Sequence, residues 1–397
     1  MINVHSAPDP RGQARATASR GRTKKRFFAA KGFLAASTAI ALVAMSGCDI
    51  RNPTAVSVET ADPVLLIQGA RSRFSDAMGI IASAFVASDE GLAKTSFQVE
   101  DQTGDISASG AYTTWFSQAH QARRLAAFAI ERSNVLGAVE PGYLAHVWHG
   151  WVQIRLSELW GSQPYDGGAT VSADEILKRA LTDVEAAVVS KVDSTRHRAY
   201  AGVARINFIR GRNPVDRARL TAAIEAAQKV LAERPTFIWV ELPNFNPLSF
   251  AMGRSYGPTP FYRDIPLWFA GFPTLAGHDA TLIYNDLTKP QGVVLISATE
   301  LRLIQAESHL LLGDLAAAKT AFKSVALLPI NRVRVGRMPT DPPLTAAQVN
   351  AFVDPLSAAA LATAIESLNR EDQYLSARRS VREGGISILP YKVPPNA

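Results

Sequence analysis

The sequence predicts a mostly α-helical protein, built from tetratricopeptide-like helical hairpins with a loop-rich, irregular lobe set among them. Three observations predict it. Ser297–Val325 (SATELRLIQAESHLLLGDLAAAKTAFKSV) reads as two short helices joined by a Gly-Asp turn. The same pattern returns, more weakly, at Tyr200–Leu231 and Leu144–Val188. Pro235–Gly292 interrupts it with eight prolines and eleven of the chain's 32 aromatic residues.

The N-terminus explains the charge. The net charge of +7 invites a nucleic-acid reading, but residues 1–48 hold eight Lys/Arg against one acid, Asp9, and the remainder balances at 34 basic and 34 acidic residues. Arg20, Arg22, Lys24, Lys25, Arg26 and Lys31 precede an apolar run, Phe33–Met45, that ends in Ser46-Gly47-Cys48. A transmembrane helix needs about 20 apolar residues, so this run is too short to span a bilayer. A basic region, a short apolar core and small residues are the anatomy of an export signal. The expected organisation is a lipoprotein signal peptide over 1–47, a lipidated tether over 48–61 and a helical-repeat domain over 62–397. Cys48 is the chain's one cysteine and the expected lipidation site, so the body holds no disulfide, metal-thiolate cluster or catalytic thiol.

Asp62-Pro63 opens the first helix, with Asp as cap and Pro at the first helical position. Residues 94–111 are polar and glycine-containing, which predicts a loop. From Tyr112 to Leu136 the period is helical again, with Trp115, Ala119, Ala122, Ala126 and Ile130 on one face and Arg123, Arg124 and Arg132 on its margins. Gly161–Thr170 is a turn-rich link, after which Ser172…Glu175 starts a further helix. Gly211 aligns with Gly313, which places Ala204 on Ala306. In the Ser297 hairpin, Ser297…Glu300 has capping-box spacing, Gly313 ends the first helix, and Ala318, Phe322 and Val325 form the answering stripe. Val293–Ile296 is a candidate strand. Thr345…Gln348 and Asp354-Pro355 are two further helix starts, and a last helix is expected over Leu356–Arg382. Hairpins of this kind cannot bury their apolar faces alone and need stacked neighbours, with a repeat near ~34 residues. An alanine-rich helical bundle would show much of the same periodicity.

Several segments, taken in order, carry a resemblance. Asn52-Pro53 follows Cys48; then come Leu66-Ile67-Gln68-Gly69-Ala70-Arg71, Trp148-His149-Gly150-Trp151 leading to Leu159-Trp160-Gly161-Ser162-Gln163-Pro164, Leu303-Ile304-Gln305-Ala306-Glu307 with Leu312-Gly313-Asp314, and Asn369-Arg370-Glu371 with Arg378-Arg379. Together with the Cys48 signal they resemble the SusD/RagB family of outer-membrane nutrient-uptake lipoproteins. The resemblance implies four tetratricopeptide-like units against a loop-rich ligand-binding part. It also implies a lipid-anchored protein, facing the cell surface, that holds an oligosaccharide or other neutral oligomer and caps a SusC-like TonB-dependent barrel transporter, with no cofactor and no nucleic acid.

The chemistry of the residues points the same way. His146 and His149 lie one helical turn apart, but no third ligand stands nearby and Trp148 and Trp151 imply packing, so no metal site is expected. Glu131, Glu140, Glu158 and Asp166 show no pairing that glycosidase chemistry would need, and no phosphate loop or nucleophile elbow is present, so no catalytic residue is assigned. A long loop rich in rings is a candidate ligand surface. Its eleven rings stand beside only Arg254, Arg263 and Lys289 and four acids (Glu241, Asp264, Asp279, Asp286), which suits a neutral ligand. The expected ligand-binding residues are Trp239, Tyr262 and Trp268, with Asn244 and Asn246 as amide partners and Trp115 approaching from the N-terminal part. The alternative function is an outer-membrane scaffold lipoprotein whose helical repeats dock other proteins.

Overall fold

A computed structural model of the chain describes residues 60–78, 91–93, 110–241, 255–258, 293–327 and 345–373. Among these lie ten helices: α1 (Pro63–Ala77), α2 (Gly110–Leu136), α3 (Val139–Trp160), α4 (Ala173–Ala187), α5 (Asp193–Arg212), α6 (Arg217–Glu233), α7 (Ala298–Leu311), α8 (Leu315–Ala326), α9 (Ala346–Val353) and α10 (Ala358–Gln373). Three two-stranded antiparallel sheets accompany them. They pair β1 (Gly91–Ala93) with β5 (Ser255–Pro258), β2 (Gln163–Pro164) with β3 (Thr170–Val171), and β4 (Ile238–Glu241) with β6 (Val293–Ser297).

The helices pack in consecutive pairs, α1 with α2, α3 with α4, α5 with α6 and α7 with α8. Each pair also packs on the next, through α2–α3, α4–α5 and α6–α7, which is the stacked-hairpin arrangement that the sequence predicts. The caps predicted at Asp62, Ser172 and Ser297 are present, and Asp314 of the Gly-Asp turn adds another. Asp62 accepts from Val64 N–H (2.7 Å), Ser172 from Glu175 N–H (3.2 Å), Ser297 from Glu300 N–H (3.2 Å) and Asp314 from Ala317 N–H (3.0 Å). Thr345 and Gln348 close a full capping box. Asp354-Pro355, read as a helix start, instead lies between α9, which Asp354 caps, and α10, where Ser357 Oγ accepts from Ala360 N–H (3.2 Å).

The two aligned glycines do different work. Gly313 has φ +86° and ends α7, a conformation that costs glycine little. Gly211 lies within α5, and a Cβ there would sit 2.8 Å from Arg219 Cβ, so it is small to admit α6. Ala204 and Ala306 are both fully buried, as their alignment predicts. A second close approach surrounds Val184 of α4: its Cγ1 would meet a Cβ on Gly150 of α3 at 2.7 Å and one on Gly202 of α5 at 2.9 Å.

α3 is the central helix. Every residue from Gly150 to Leu159 is buried, as expected of a helix with neighbours on all sides. Its buried carboxylate, Glu158, is satisfied internally. Glu158 accepts from Arg155 Nη1 (2.8 Å) and from Arg205 Nε of α5 (2.6 Å), and Arg205 Nη1 donates to the Leu295 carbonyl of β6 (3.0 Å) and faces Glu300 Oε1 of α7 (3.3 Å). Burial opposes the Arg205 charge, yet Glu158 and Glu300 outweigh it and hold its pKa above the ordinary value. Glu300 is thus a buried inter-helix anchor as well as the donor to the Ser297 cap.

The main core gathers side chains of α1–α6, β4 and β6. α7 joins it to the rest. Leu301 belongs to the main core, Ile304 packs with Phe208, Leu220 and Ala223, and Leu303 and Ala306 pack with α8, α9 and α10. β6 runs straight into α7, so Ser297 is both the last strand residue and the helix cap. The strand expected at Val293–Ile296 is therefore present. Its partner, β4, comes from the segment read as wholly irregular.

Candidate functional site

A cleft of about 530 Å³ opens between α2, α3, α4 and the β2–β3 hairpin. The hairpin turn is built by Asp166-Gly167, both at positive φ (55° and 73°), with Gly168 N–H donating to the Tyr165 carbonyl (3.0 Å). Positive φ at both central residues is the pattern of a type I′ turn, for which Asp-Gly is a preferred sequence. This turn sets Tyr165 against α3 and Asp166 against α2.

Tyr165 is buried and donates its hydroxyl to Gln153 Oε1 (2.6 Å). Gln153 Nε2 donates to Asp183 Oδ2 (2.7 Å), and the same carboxylate is met by His149 Nδ1 (2.7 Å) and His146 Nδ1 (2.9 Å). Burial opposes ionisation of Asp183, but the two histidine hydrogen bonds prevail and hold its carboxyl below the usual range. Arg123, on α2, pairs with Asp166 and places its guanidinium carbon 3.9 Å from the centre of the Tyr165 ring. That hydrogen bond keeps Asp166 low as well, and burial pushes the Tyr165 phenol up. Arg179 of α4 comes within 4.7 Å of the same ring. A run of half-buried rings leads away from it, through His120 (6.4 Å) and Phe116 (4.4 Å) to Trp160 (5.7 Å).

Glycosidic acid–base chemistry needs a carboxylic acid protonated near neutral pH beside an ionised one. Both carboxylates of this cleft are biased towards ionisation, and each is hydrogen-bonded. Of the other acids considered from sequence, Glu158 is neutralised in the core by Arg155 and Arg205, and Glu140 is bound by Ser190 Oγ (2.5 Å) and Lys191 N–H (3.0 Å). The arrangement is suited to holding a polar ligand. His146 and His149 turn to one shared carboxylate, and no group of three or more His, Cys, Asp or Glu among the described residues is arranged to hold a metal.

The structure moves two residues from their predicted places. Trp239 is not a ligand platform: it is 2% exposed, set edge-to-face against Trp148 (5.3 Å) and Trp151 (5.0 Å), with the Arg198 guanidinium 4.5 Å from its ring. Its position on β4 sends it into the main core, which leaves no face for a sugar. Arg123 is not marginal on α2 but 3% exposed in the cleft wall. Trp115 lies near the start of α2, half-buried and packed on the main core. Cys48, Asn244, Asn246, Tyr262 and Trp268 lie outside the described residues. Of the cleft residues, Gln153, Tyr165, Arg179 and Asp183 had no signal as a group in the sequence, which marked only a turn-rich link over Gly161–Thr170.

No family model matches the sequence, and no curated protein matches it. Solved structures do. A SusD/RagB family protein from Bacteroides thetaiotaomicron matches with a TM-score of 0.58 at 14% identity, over 83% of this chain and 86% of that one. The chain has the SusD-like fold. Surface glycan-binding protein A from Bacteroides fluxus matches this SusD-like chain with a TM-score of 0.51 at 14% identity, over 82% and 89% of the two chains. A structure determined with xylogluco-oligosaccharide matches with a TM-score of 0.50 at 10% identity, over 80% and 82%. The mostly helical, repeat-built architecture predicted from the sequence is thus the one observed, and it extends over most of each SusD-like neighbour.

Proposed function

We propose that this chain is a non-catalytic, glycan-binding lipoprotein of an outer-membrane uptake complex, anchored through Cys48 and capping a TonB-dependent barrel transporter. The observation that carries the reading is the SusD-like fold over about four-fifths of the chain, shared with a surface glycan-binding protein and with a structure determined with xylogluco-oligosaccharide. Among the described residues no helix is long and apolar enough to cross a membrane, and two or more acyl chains on Cys48 would hold the chain to the bilayer. On this reading the residues that meet the ligand are those expected from the sequence, Tyr262, Trp268, Asn244, Asn246 and Trp115. Sugar rings present flat C–H faces with hydroxyls at their edges, which rings and amides complement.

The test is calorimetric titration of the full-length chain, purified in neutral detergent, with neutral oligosaccharides. Saturable binding that falls in Tyr262→Ala/Trp268→Ala supports the reading, and co-purification of a large β-barrel supports the uptake complex. Binding to no oligosaccharide would remove it. The scaffold alternative draws on one observation, a groove of about 860 Å³ between α6, α7 and α8 lined by Gln228, Arg302, Gln305, His309 and Thr320. It would gain if the chain bound a partner protein through that groove and no sugar at all.

A further inference from the structure

The cleft beside Tyr165 carries more positive charge than its own carboxylates use. We infer that it is a subsite for a carboxylate carried on a small ring, of the kind an acidic sugar presents; the inference rests on the glycan-binding reading. Asp183 is already occupied by His146, His149 and Gln153, and Asp166 by Arg123. Arg124, the next residue of α2, lines the same cleft, is exposed, and has no carboxylate partner among the described residues. Arg179 faces it from α4, and its one ion pair among the described residues is with Glu175 at 3.5 Å, with both side chains more than two-fifths exposed. A long, exposed pair of that kind holds a guanidinium weakly. Two guanidiniums from facing helices therefore remain to receive an anion, and their planar forks match a carboxylate.

The same wall supplies an apolar face. Phe128, half-buried on α2, lies one turn from Arg124, its ring centre 5.9 Å from that guanidinium carbon. A sugar ring laid on Phe128 would direct an equatorial carboxylate towards Arg124 and Arg179. Two buried nitrogens of the wall, Arg123 Nε and His149 Nε2, have no hydrogen-bond partner among the described residues, which leaves the wall with hydrogen-bonding capacity to spare. The cleft's 530 Å³ falls within the range of about 300–1,000 Å³ usual for small-ligand sites.

The experiment titrates the full-length chain in neutral detergent with a galacturonate trimer, the matched neutral galactose trimer and benzoate, by calorimetry at low and high salt. The galacturonate trimer should bind, more weakly at high salt, and Arg124→Gln or Arg179→Gln should each weaken it by about tenfold. Both arginines are at the surface, so melting temperatures near wild type should confirm that the variants fold. Unchanged uronate affinity in both variants would overturn the site. Benzoate binding as tightly as the trimer would overturn the sugar assignment. Neutral trimer bound without the uronate overturns this inference and leaves the glycan reading standing. Arginine-dependent uronate binding without the neutral trimer supports the inference and narrows that reading to acidic glycans. Binding of neither sugar overturns this inference, and the glycan reading falls with it only if no other oligosaccharide binds.

Discussion

Trp239 donates its indole N–H to Glu241 Oε1 (2.7 Å), and Glu241 accepts on its other oxygen from Arg71 Nε of α1 (2.6 Å). Residues two apart on a strand share a face, so β4 turns both side chains inward together. The ring of one fills the space between Trp148 and Trp151, while the carboxylate of the other satisfies the indole and ties the strand to the first helix. A residue that looked from sequence like a ligand platform is the pin between an inserted segment and the helical array.

Trp239→Ala should therefore act on stability. Truncating a buried Trp costs about 3–5 kcal/mol, and urea unfolding should show a loss of that size. Trp239→Phe keeps most of the packing but removes the donor to a buried carboxylate, a smaller cost of about 1–3 kcal/mol. If Trp239→Ala left stability within about 1 kcal/mol while glycan affinity collapsed, the core placement would be wrong.

The Glu158–Arg205–Glu300 group predicts a second stability effect. All three side chains are at most 5% exposed, and they join α3, α5 and α7. Arg205→Met would leave the buried carboxylates of Glu158 and Glu300 without the guanidinium between them, and loss of one partner of a buried pair costs about 3–5 kcal/mol. Arg205→Lys keeps the charge but not the fork that also reaches the Leu295 carbonyl, and should lie between wild type and Arg205→Met. Thermal unfolding orders the three proteins; identical melting temperatures would refute the role given to this group.

Asp183 predicts a pH dependence. Its carboxyl is held below the ordinary range in the folded state, with burial opposing and the His146 and His149 hydrogen bonds prevailing. A depressed folded pKa means that the unfolded chain takes up the proton first. The stabilisation is then complete above the unfolded Asp pKa, about 3.9, and is lost as pH falls through the folded value. Asp183→Asn should be less stable than wild type at pH 6–7 (a range about 2–3 units above that reference), and the gap should narrow as the medium is acidified below pH ~4. A gap that stayed constant down to the acid limit would show that the carboxylate charge contributes nothing.

At the N-terminus, Cys48→Ala should release the protein from the membrane fraction or leave it unprocessed, because two or more acyl chains hold a protein to a bilayer where one does not. Fractionation together with intact-mass measurement of wild type reads the outcome. An unmodified Cys48 in mature wild-type protein would rule out the lipid anchor.

The sequence by itself determined the helices, most of their caps and their pairing in chain order. These features depend on short-range physics: a Ser or Asp oxygen reaching an N–H two or three residues on, an apolar stripe at helical spacing, a Gly at φ +86° after α7. The turn-rich character of Gly161–Thr170, within which the Asp166-Gly167 turn lies, was marked in the same local way. What only the tertiary structure decided depends on which faces meet. Nothing local distinguishes a tryptophan that lines a sugar site from one that fills a core, and pairing of β4 with β6 across more than fifty residues of chain sent Trp239 inward. Adjacent Arg123 and Arg124 look alike in sequence, yet successive helical positions differ by about 100°; packing of the β2–β3 hairpin buried the first against Tyr165 and left the second at the mouth of the cleft. The cluster of His146, His149, Gln153, Tyr165 and Asp183 joins residues from two helices and a turn, and only the stacking of α3 on α4, at the contact between Gly150 and Val184, brought their polar atoms together.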